Sequence, residues 1–461
     1  MREAWKLNAK LFGSSGVRGF ANVDVTPNLA CKVGLAVATF SKAKEVVVAR
    51  DTRVSGLMLQ DALVSGLLAG GAKTKCLGIV PTPVLAFLTR ELKAGAGVMI
   101  TASHNPPQYN GIKVFDKDSM AYDEQNQDKI EEIVEHESFS LADWRSVGEA
   151  TFEHETRLYI ETINNKVRLK KKWNVVVDPG CGATYELAPL IHKQLGCNLT
   201  AINAQPDGYF PARNPEPKAE TLTALSEIVR KLGKDVGIAY DGDGDRVAFI
   251  DEKGELADFD RVLAAYAGYV TKKNGGGTVV TNVEASMCVE KMVEKHGGKV
   301  VRTKVGDVYL SQAIKKNKAI FGGEPCGAWI HPQFHYCPDG ILSSLLLLKA
   351  LEDEKMKLSE LIAHAPQYPT VRENVNCGNR TKYSVVERVG KNLKSAFPDC
   401  KEFSTVDGVR LSLENGWILV RASGTEELIR LTVESESLKT AKEIMNQSVR
   451  IVKEQVWRTK K

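Results

Sequence analysis

Three apolar runs echo one another along the chain: Val46-Val47-Val48-Ala49-Arg50-Asp51, Val175-Val176-Val177-Asp178-Pro179-Gly180 and Thr278-Val279-Val280-Thr281-Asn282. Each is short and β-branched and ends in polar or turn residues, the pattern of a strand buried on both faces. A helical pattern follows, from Tyr185 to Leu195 after the second run and from Ala285 to His296 after the third. Strands alternating with helices predict α/β units whose parallel or mixed sheets are covered on both sides. Val236 to Tyr240 and Val247 to Ile250 read as two further strands separated by a polar loop. Toward the end the pattern becomes that of an α+β module. A helix is predicted over Lys382 to Ala396, strands over Val409 to Leu413, Trp417 to Val420 and Ile429 to Glu434, and a closing helix over Leu438 to Gln455. Asn415-Gly416 is the predicted hairpin turn.

A chain of 461 residues is too long for one core and suggests about three or four domains. The polar stretch Tyr122 to Glu137 predicts a solvated helix or connector, and Asn274 to Gly277 a loop. His364-Ala365-Pro366-Gln367-Tyr368-Pro369 predicts a linker. The expected domains are residues 1–148, 149–251, 252–365 and 366–461.

Hydrophobic content of 43% and charged content of 26% are those of an ordinary soluble enzyme. The net charge of +5 is spread along the chain, and its two basic clusters, Lys170-Lys171-Lys172 and the Trp457 to Lys461 tail, form no stripe interleaved with aromatics. That argues against nucleic acid and leaves a surface suited to an anionic small molecule. Nine scattered cysteines without a CxxC pair oppose a zinc site or a disulfide framework and predict a reducing cytoplasm. Met1 to Asn8 lacks an apolar signal core, and no apolar run is long enough to span a membrane.

Two segments carry candidate chemistry. Within Gly97 to Tyr109 an apolar strand ends abruptly at Ser103, followed by His104-Asn105 and then Pro106-Pro107. The prolines cannot extend a ladder, so the hydroxyl of Ser103 is expected at an exposed strand end, well placed for transfer chemistry. Asp241-Gly242-Asp243-Gly244-Asp245-Arg246 lies between two predicted strands. Carboxylates at alternate positions, spaced by glycine, can converge on one hard cation such as Mg²⁺ or Ca²⁺. An EF-hand would place Glu252 correctly, but it needs glycine where Arg246 stands and helices where the flanks are strands. Arg246 can offer a bidentate fork to a phosphate or form an ion pair with those aspartates.

With Ser103, these residues make the chain resemble the α-D-phosphohexomutase family, which includes phosphoglucomutase, phosphomannomutase and phosphoglucosamine mutase. Further marks appear in the family's order: Gly13-Ser14-Ser15-Gly16-Val17-Arg18-Gly19, Gly323-Glu324-Pro325-Cys326-Gly327 and Arg421-Ala422-Ser423-Gly424-Thr425-Glu426. The resemblance covers almost the whole chain. It implies an α/β fold of three tandem related α/β domains with mixed sheets plus a smaller C-terminal α+β domain, around a central cleft. It also implies an intramolecular phosphotransferase that interconverts hexose 6-phosphate and hexose 1-phosphate through a phosphoserine. A sugar bisphosphate then serves as intermediate or activator.

By this resemblance Ser103 carries the phosphoryl group. A phosphoserine brings about two negative charges, so one Mg²⁺ held by Ser103, Asp241, Asp243 and Asp245 is expected to relieve the repulsion. Lys113 and Arg18 match positions beside the phosphoserine, and close cations are expected to lower the Lys113 pKa toward working pH. His104 is either a second proton carrier or a residue that orients the loop. Ala328 stands where many relatives place a histidine; His331 and His335 lie nearby and are either substitutes or structural. Glu324 and Cys326 fall where the family reads the hexose hydroxyls, although a thiol is a weaker partner than the usual serine. Arg421, Ser423, Gly424, Thr425 and Arg430 are expected to hold the non-reacting phosphate in a nest of N–H and hydroxyl groups.

Gln205 to Pro215 and Gly323 to Trp329 look most like the archaeal-type phosphoglucosamine mutases, which implies glucosamine 6-phosphate to glucosamine 1-phosphate. The alternatives are a phosphomannomutase/phosphoglucomutase of broad range, a Mg²⁺-dependent sugar phosphatase and a catalytically dead sensor. The expected partner is a small hexose phosphate, with no nucleic acid and no membrane, for a cytoplasmic monomer or homodimer.

Overall fold

The computed structural model describes residues 10–13, 16–153, 155–423 and 426–459. They form two compact units, Met1–Phe259 with Gly306–Leu361, and Asp260–Val305 with Ile362–Lys461. Among the described residues, no helix is long and apolar enough to cross a membrane.

The first unit contains a mixed sheet of seven strands, in the order Phe12–Gly13, Gly16–Phe20, Tyr109–Asp116, Ala96–Ile100, Glu45–Arg50, Lys73–Ile79 and Ala150–Phe152. Its centre is the first echoing run. Glu45–Arg50 pairs in parallel with Ala96–Ile100 and Lys73–Ile79, and Val46, Val47, Val48 and Ala49 are fully buried. The helices Pro27–Ser41 and Gly56–Ala69 contribute to the core on this sheet. Arg50 lies opposite Ile100, so the chain leaves both strands at the same level, and their loops meet where ligands of α/β sheets bind.

A second sheet in this unit runs in the order Val247–Ile250, Val236–Tyr240, Asn174–Asp178 and Asn198–Ala201. Asn174–Asp178, the second echo, is parallel to Val236–Tyr240, and Tyr240 pairs antiparallel with Val247. The acidic segment is therefore the loop of a hairpin. Phe321–Gly323 and Trp329–Ile330 form another hairpin, around Glu324 to Ala328.

In the second unit the third echo, Gly277–Asn282, runs parallel to Gly298–Thr303. The helix expected from Ala285 begins only at Cys288. Asn282 Oδ1 accepts the N–H groups of Glu284 and Ala285, and Ser286 Oγ accepts that of Cys288, so a side-chain turn takes the first helical positions. The C-terminal part is a five-stranded antiparallel sheet, Thr370–Asn376, Leu428–Ser435, Gly416–Ala422, Val409–Leu413 and Glu402–Ser404, sharing a core with the helices Lys382–Ala396 and Leu438–Arg458. Trp417 and Leu419 pack on the other face against Val283.

The hairpin turn falls one residue earlier than expected. Leu413 pairs with Gly416, leaving Glu414 and Asn415 as the turn. A side chain at Gly416 would place its Cβ 2.2 Å from the Glu434 carbonyl oxygen, so this glycine serves the strand pairing instead of the turn.

Candidate active site

Ser103 lies three residues beyond the strand Ala96–Ile100 and is only 2% exposed. The expectation of an exposed strand end is corrected: Thr101, Ala102 and Ser103 are all buried beyond the strand. Its N–H donates to Thr101 Oγ1 at 2.8 Å, and that hydroxyl donates to Asp51 Oδ2 at 2.7 Å. Ser103 has φ +50°, a left-handed conformation that costs a non-glycine residue energy. In this pose its Oγ donates to Asp241 Oδ2 at 2.7 Å and sits 3.3 Å from His104 Nδ1.

The three aspartates converge. One carboxylate oxygen from each of Asp241, Asp243 and Asp245 lies within 4.8 Å of the other two, and all three residues are buried. The turn that achieves this uses Gly244 at φ +77°, and Asp241 Oδ1 accepts the N–H groups of Gly244 and Arg246 at 3.0 and 3.1 Å. Asp243 Oδ2 accepts from Thr82 Oγ1 at 2.6 Å and from Lys113 Nζ at 2.9 Å; Asp245 Oδ2 accepts from the same ammonium at 2.8 Å. Asp243 Oδ1 and Asp245 Oδ1 are buried without a hydrogen-bond partner. Orphaned carboxylate oxygens in an all-oxygen cluster fit a hard divalent cation, so the triad is compatible with a metal site.

Electrostatics support that fit. Burial, and then Asp245 and Asp243, push the Asp241 carboxyl well above the usual carboxylate range. Burial acts in the same direction on Asp243, but Lys113 and the Thr82 hydroxyl outweigh it and hold Asp243 below that range. Lys113 differs from expectation. Burial would lower it and Arg18 lowers it further, yet Asp243, Asp245 and Asp307 carry it above the ordinary ammonium value. Nearby carboxylates outweigh nearby cations.

His104 is held neutral, pushed down to about 2 by burial, then by Arg246 and Arg18. Burial also lowers the Arg18 guanidinium, whose Nη1 donates to Asn105 Oδ1 at 2.9 Å while its buried Nε has no partner. The Arg246 side chain is 21% exposed and stands 3.9 Å from both Asp245 and Glu216. Ion pairs this long leave the fork free to turn toward an anion. Glu324 is buried, and its Oε1 accepts the Gly306 N–H at 2.8 Å. Cys326 Sγ lies 3.9 Å from Glu324 Oε2, its thiol pushed up to about 12, chiefly by burial.

His331 and His335 do not enter this constellation. His331 Nε2 is 3.0 Å from Ser343 Oγ, His335 Nε2 is 2.9 Å from Asp339 Oδ2, and both rings are buried. Sequence reasoning missed Thr82, which binds Asp243, and Asp307, whose carboxyl interacts with Lys113, Asp245 and Arg18. It also missed Asp51 and Arg53, though the charged tail of the first echo, Arg50-Asp51-Thr52-Arg53, was the signal that could have found them.

The remaining candidates lie in the second unit. Arg421 donates to Asp407 Oδ1 at 3.0 Å and to Glu284 Oε1 at 2.8 Å; Arg430 pairs with Glu426 at 2.6 Å. Ser423 is buried, and its Oγ accepts the Glu426 N–H at 3.1 Å. Gly424 and Thr425 fall outside the described residues. Arg372, Arg421 and Arg430 line one cavity of about 150 Å³, with Glu284 as its acidic wall.

Four family descriptions match the chain in order. Phosphoglucomutase/phosphomannomutase alpha/beta/alpha domains I, II and III match residues 9–141, 157–254 and 258–368, and the C-terminal domain matches residues 373–451. The chain is 44% identical to a probable phosphoglucosamine mutase of Methanobrevibacter smithii, over 97% of this chain and 99% of that one. It is 43% identical to the phosphoglucosamine mutase of Methanocaldococcus jannaschii, over 96% and 98%. A crystal structure of a phosphoglucomutase/phosphomannomutase family protein from Burkholderia thailandensis superimposes with a TM-score of 0.87 at 26% identity, over 97% of both chains.

Proposed function

This chain belongs to the phosphoglucomutase/phosphomannomutase family, and we propose that it interconverts hexose 6-phosphate and hexose 1-phosphate, preferring glucosamine phosphates. The observation that carries the reading is the contact of Ser103 Oγ with Asp241 at 2.7 Å, inside a buried acidic triad that has two orphaned oxygens. The preference for glucosamine is supported by two relatives, of 44% and 43% identity, named as a probable phosphoglucosamine mutase and a phosphoglucosamine mutase.

Ser103 is the phosphoryl carrier. A sugar hydroxyl oxygen attacks the phosphorus, the P–O bond to Ser103 Oγ breaks, and the second transfer reverses these events from the other end of the bisphosphate. Asp241, Asp243, Asp245 and the seryl phosphate would hold Mg²⁺, which supplies charge neutralisation and polarises the phosphoryl group. The hydroxyl's proton passes to the released seryl oxygen, and Lys113, kept an ammonium by Asp243 and Asp245, supplies positive charge instead of taking that proton. His104, held down to about 2, is too weak a base for that task and orients Ser103 instead. Arg18 and Arg246 bring positive charge to the reacting phosphate, Glu324 and Cys326 face the sugar hydroxyls, and Arg421, Ser423 and Arg430, with Gly424 and Thr425, hold the other phosphate.

The test is ³¹P NMR of glucosamine 6-phosphate with Mg²⁺ and a trace of the 1,6-bisphosphate. Glucosamine 1-phosphate is the expected product, with kcat/KM for glucosamine 1-phosphate above that for glucose and mannose 1-phosphates. Free phosphate without isomerised sugar would identify a phosphatase, and failure to convert any of the three sugars would refute mutase activity.

A further inference from the structure

Two arginines beneath the candidate site take no part in the chemistry just described. Arg53 is 1% exposed and Arg213 is 8% exposed. Each is ion-paired with an aspartate that ends, or directly follows, one of the echoing strands. Arg53 Nε donates to Asp51 Oδ2 at 3.0 Å, and Arg213 Nε donates to Asp178 Oδ2 at 2.9 Å.

What remains of each guanidinium is spent on backbone carbonyls. Arg53 Nη2 donates to Ser103 O at 2.9 Å and Asn105 O at 2.6 Å, and its Nη1 donates to Pro106 O at 2.6 Å and Tyr109 O at 2.9 Å. Arg213 Nη2 donates to Tyr240 O at 2.6 Å and Asp178 O at 3.2 Å, while its Nη1 reaches Asn214 O at 3.1 Å. The first set belongs to the serine loop; Tyr240 is the residue immediately before the acidic triad.

We propose that Arg53 and Arg213 are positioning residues, each gathering the carbonyl oxygens of one functional loop so that the seryl oxygen and the metal-holding aspartates are each aimed from their own anchor. The proposal rests on the mutase reading for the roles of the two loops. The physical need is clearest at Ser103. Its left-handed backbone costs about 1–3 kcal/mol and persists only where the surroundings over-determine it. Pro106 and Pro107 lack N–H groups, so the loop cannot hold itself with a ladder. A planar fork with five donors supplies the missing bonds from one point, and its own charge is balanced by Asp51. Asp51 also accepts from Thr101 Oγ1, which binds the Ser103 N–H, so the serine is gripped at both its N–H and its carbonyl. Lysine is a point donor and cannot bind four divergent carbonyls.

The test compares Arg53→Lys and Arg213→Lys in the full chain by calorimetric Mg²⁺ titration, hydrogen exchange and steady-state kinetics. Arg53→Lys is expected to lower kcat about 10²-fold, the scale of a 1 Å misplacement, with KM and Mg²⁺ affinity within about twofold to threefold of wild type. Exchange should quicken in residues 103–109 alone. Arg213→Lys is expected to weaken Mg²⁺ binding about 10- to 100-fold, as outer-shell changes do, while kcat recovers at saturating Mg²⁺. The proposal is overturned if each variant moves both quantities alike, if neither moves, or if both variants fail to fold, since the arginines would then serve the domains as a whole. Should wild type convert no hexose phosphate, the mutase reading fails, and the titration and exchange measurements still judge the arginines.

Discussion

The imidazole of His104 lies 3.3 Å from Ser103 Oγ, close enough to share a proton. Burial and the guanidiniums of Arg246 and Arg18 nevertheless take its pKa from 6.5 to about 2, so the folded protein holds it neutral across the working range. The sign of the resulting pH dependence follows. Below about 6.5 the unfolded chain protonates this histidine and the folded chain does not, so unfolding takes up a proton and stability falls as pH drops. The contribution is complete above the unfolded pKa and shrinks toward the folded one. His104→Gln removes it. Between pH 6 and 4, denaturant unfolding should show stability falling less steeply in the variant, by up to about 1.4 kcal/mol per pH unit. Parallel slopes would mean that His104 titrates normally in the fold. Lys113 obeys the same physics with the opposite outcome, because the carboxylates of Asp243 and Asp245 touch it directly.

At the scale of elements, chemistry depends on two loops that press on each other. A Cβ at Gly242 would lie 2.5 Å from the Ser103 carbonyl oxygen and 3.3 Å from Pro215 Cβ. Gly242→Ala must therefore part the serine loop from the acidic loop. The expected outcome is an overpacking loss of about 1–3 kcal/mol in denaturant unfolding, with weaker Mg²⁺ binding by calorimetry; wild-type values for both would show that the loops do not depend on this contact. Such a contact is invisible in the sequence, which nonetheless displayed both loops. The Ser103-His104-Asn105-Pro106-Pro107 break and the alternate aspartates are local chemistry, legible because proline fixes φ and ends a ladder while glycine permits the tight turn. The strands Val236–Tyr240 and Val247–Ile250 and the helix Lys382–Ala396 match their expected bounds to the residue, the strands being apolar runs bounded by charged residues. The burial of Ser103 was not legible, nor were the late start of the helix Cys288–Glu294 and the carbonyl-gathering roles of Arg53 and Arg213. Each depends on partners a few or many residues away, which no period records.

At the scale of the whole molecule, the net charge of +5 favours an anionic ligand without saying where it binds. Two separate centres answer that question. The first unit holds the acidic triad with Ser103 and Lys113, and the second holds the cavity lined by Arg372, Arg421 and Arg430. Their charges are opposite, so a cation and a phosphate should be felt in different parts of the chain. A ligand slows hydrogen exchange where it suppresses local opening, by an amount set by its concentration relative to Kd. Mg²⁺ alone is therefore expected to slow exchange in residues 101–113 and 236–250 and to leave 409–435 unchanged. Adding glucosamine 6-phosphate should extend the protection to residues 421–430, and glucosamine without phosphate should not. If Mg²⁺ protected 409–435 as strongly as 236–250, the triad would not be its principal site. If the sugar phosphate left 421–430 untouched, the three arginines would have to be reassigned to holding the sheet rather than the substrate.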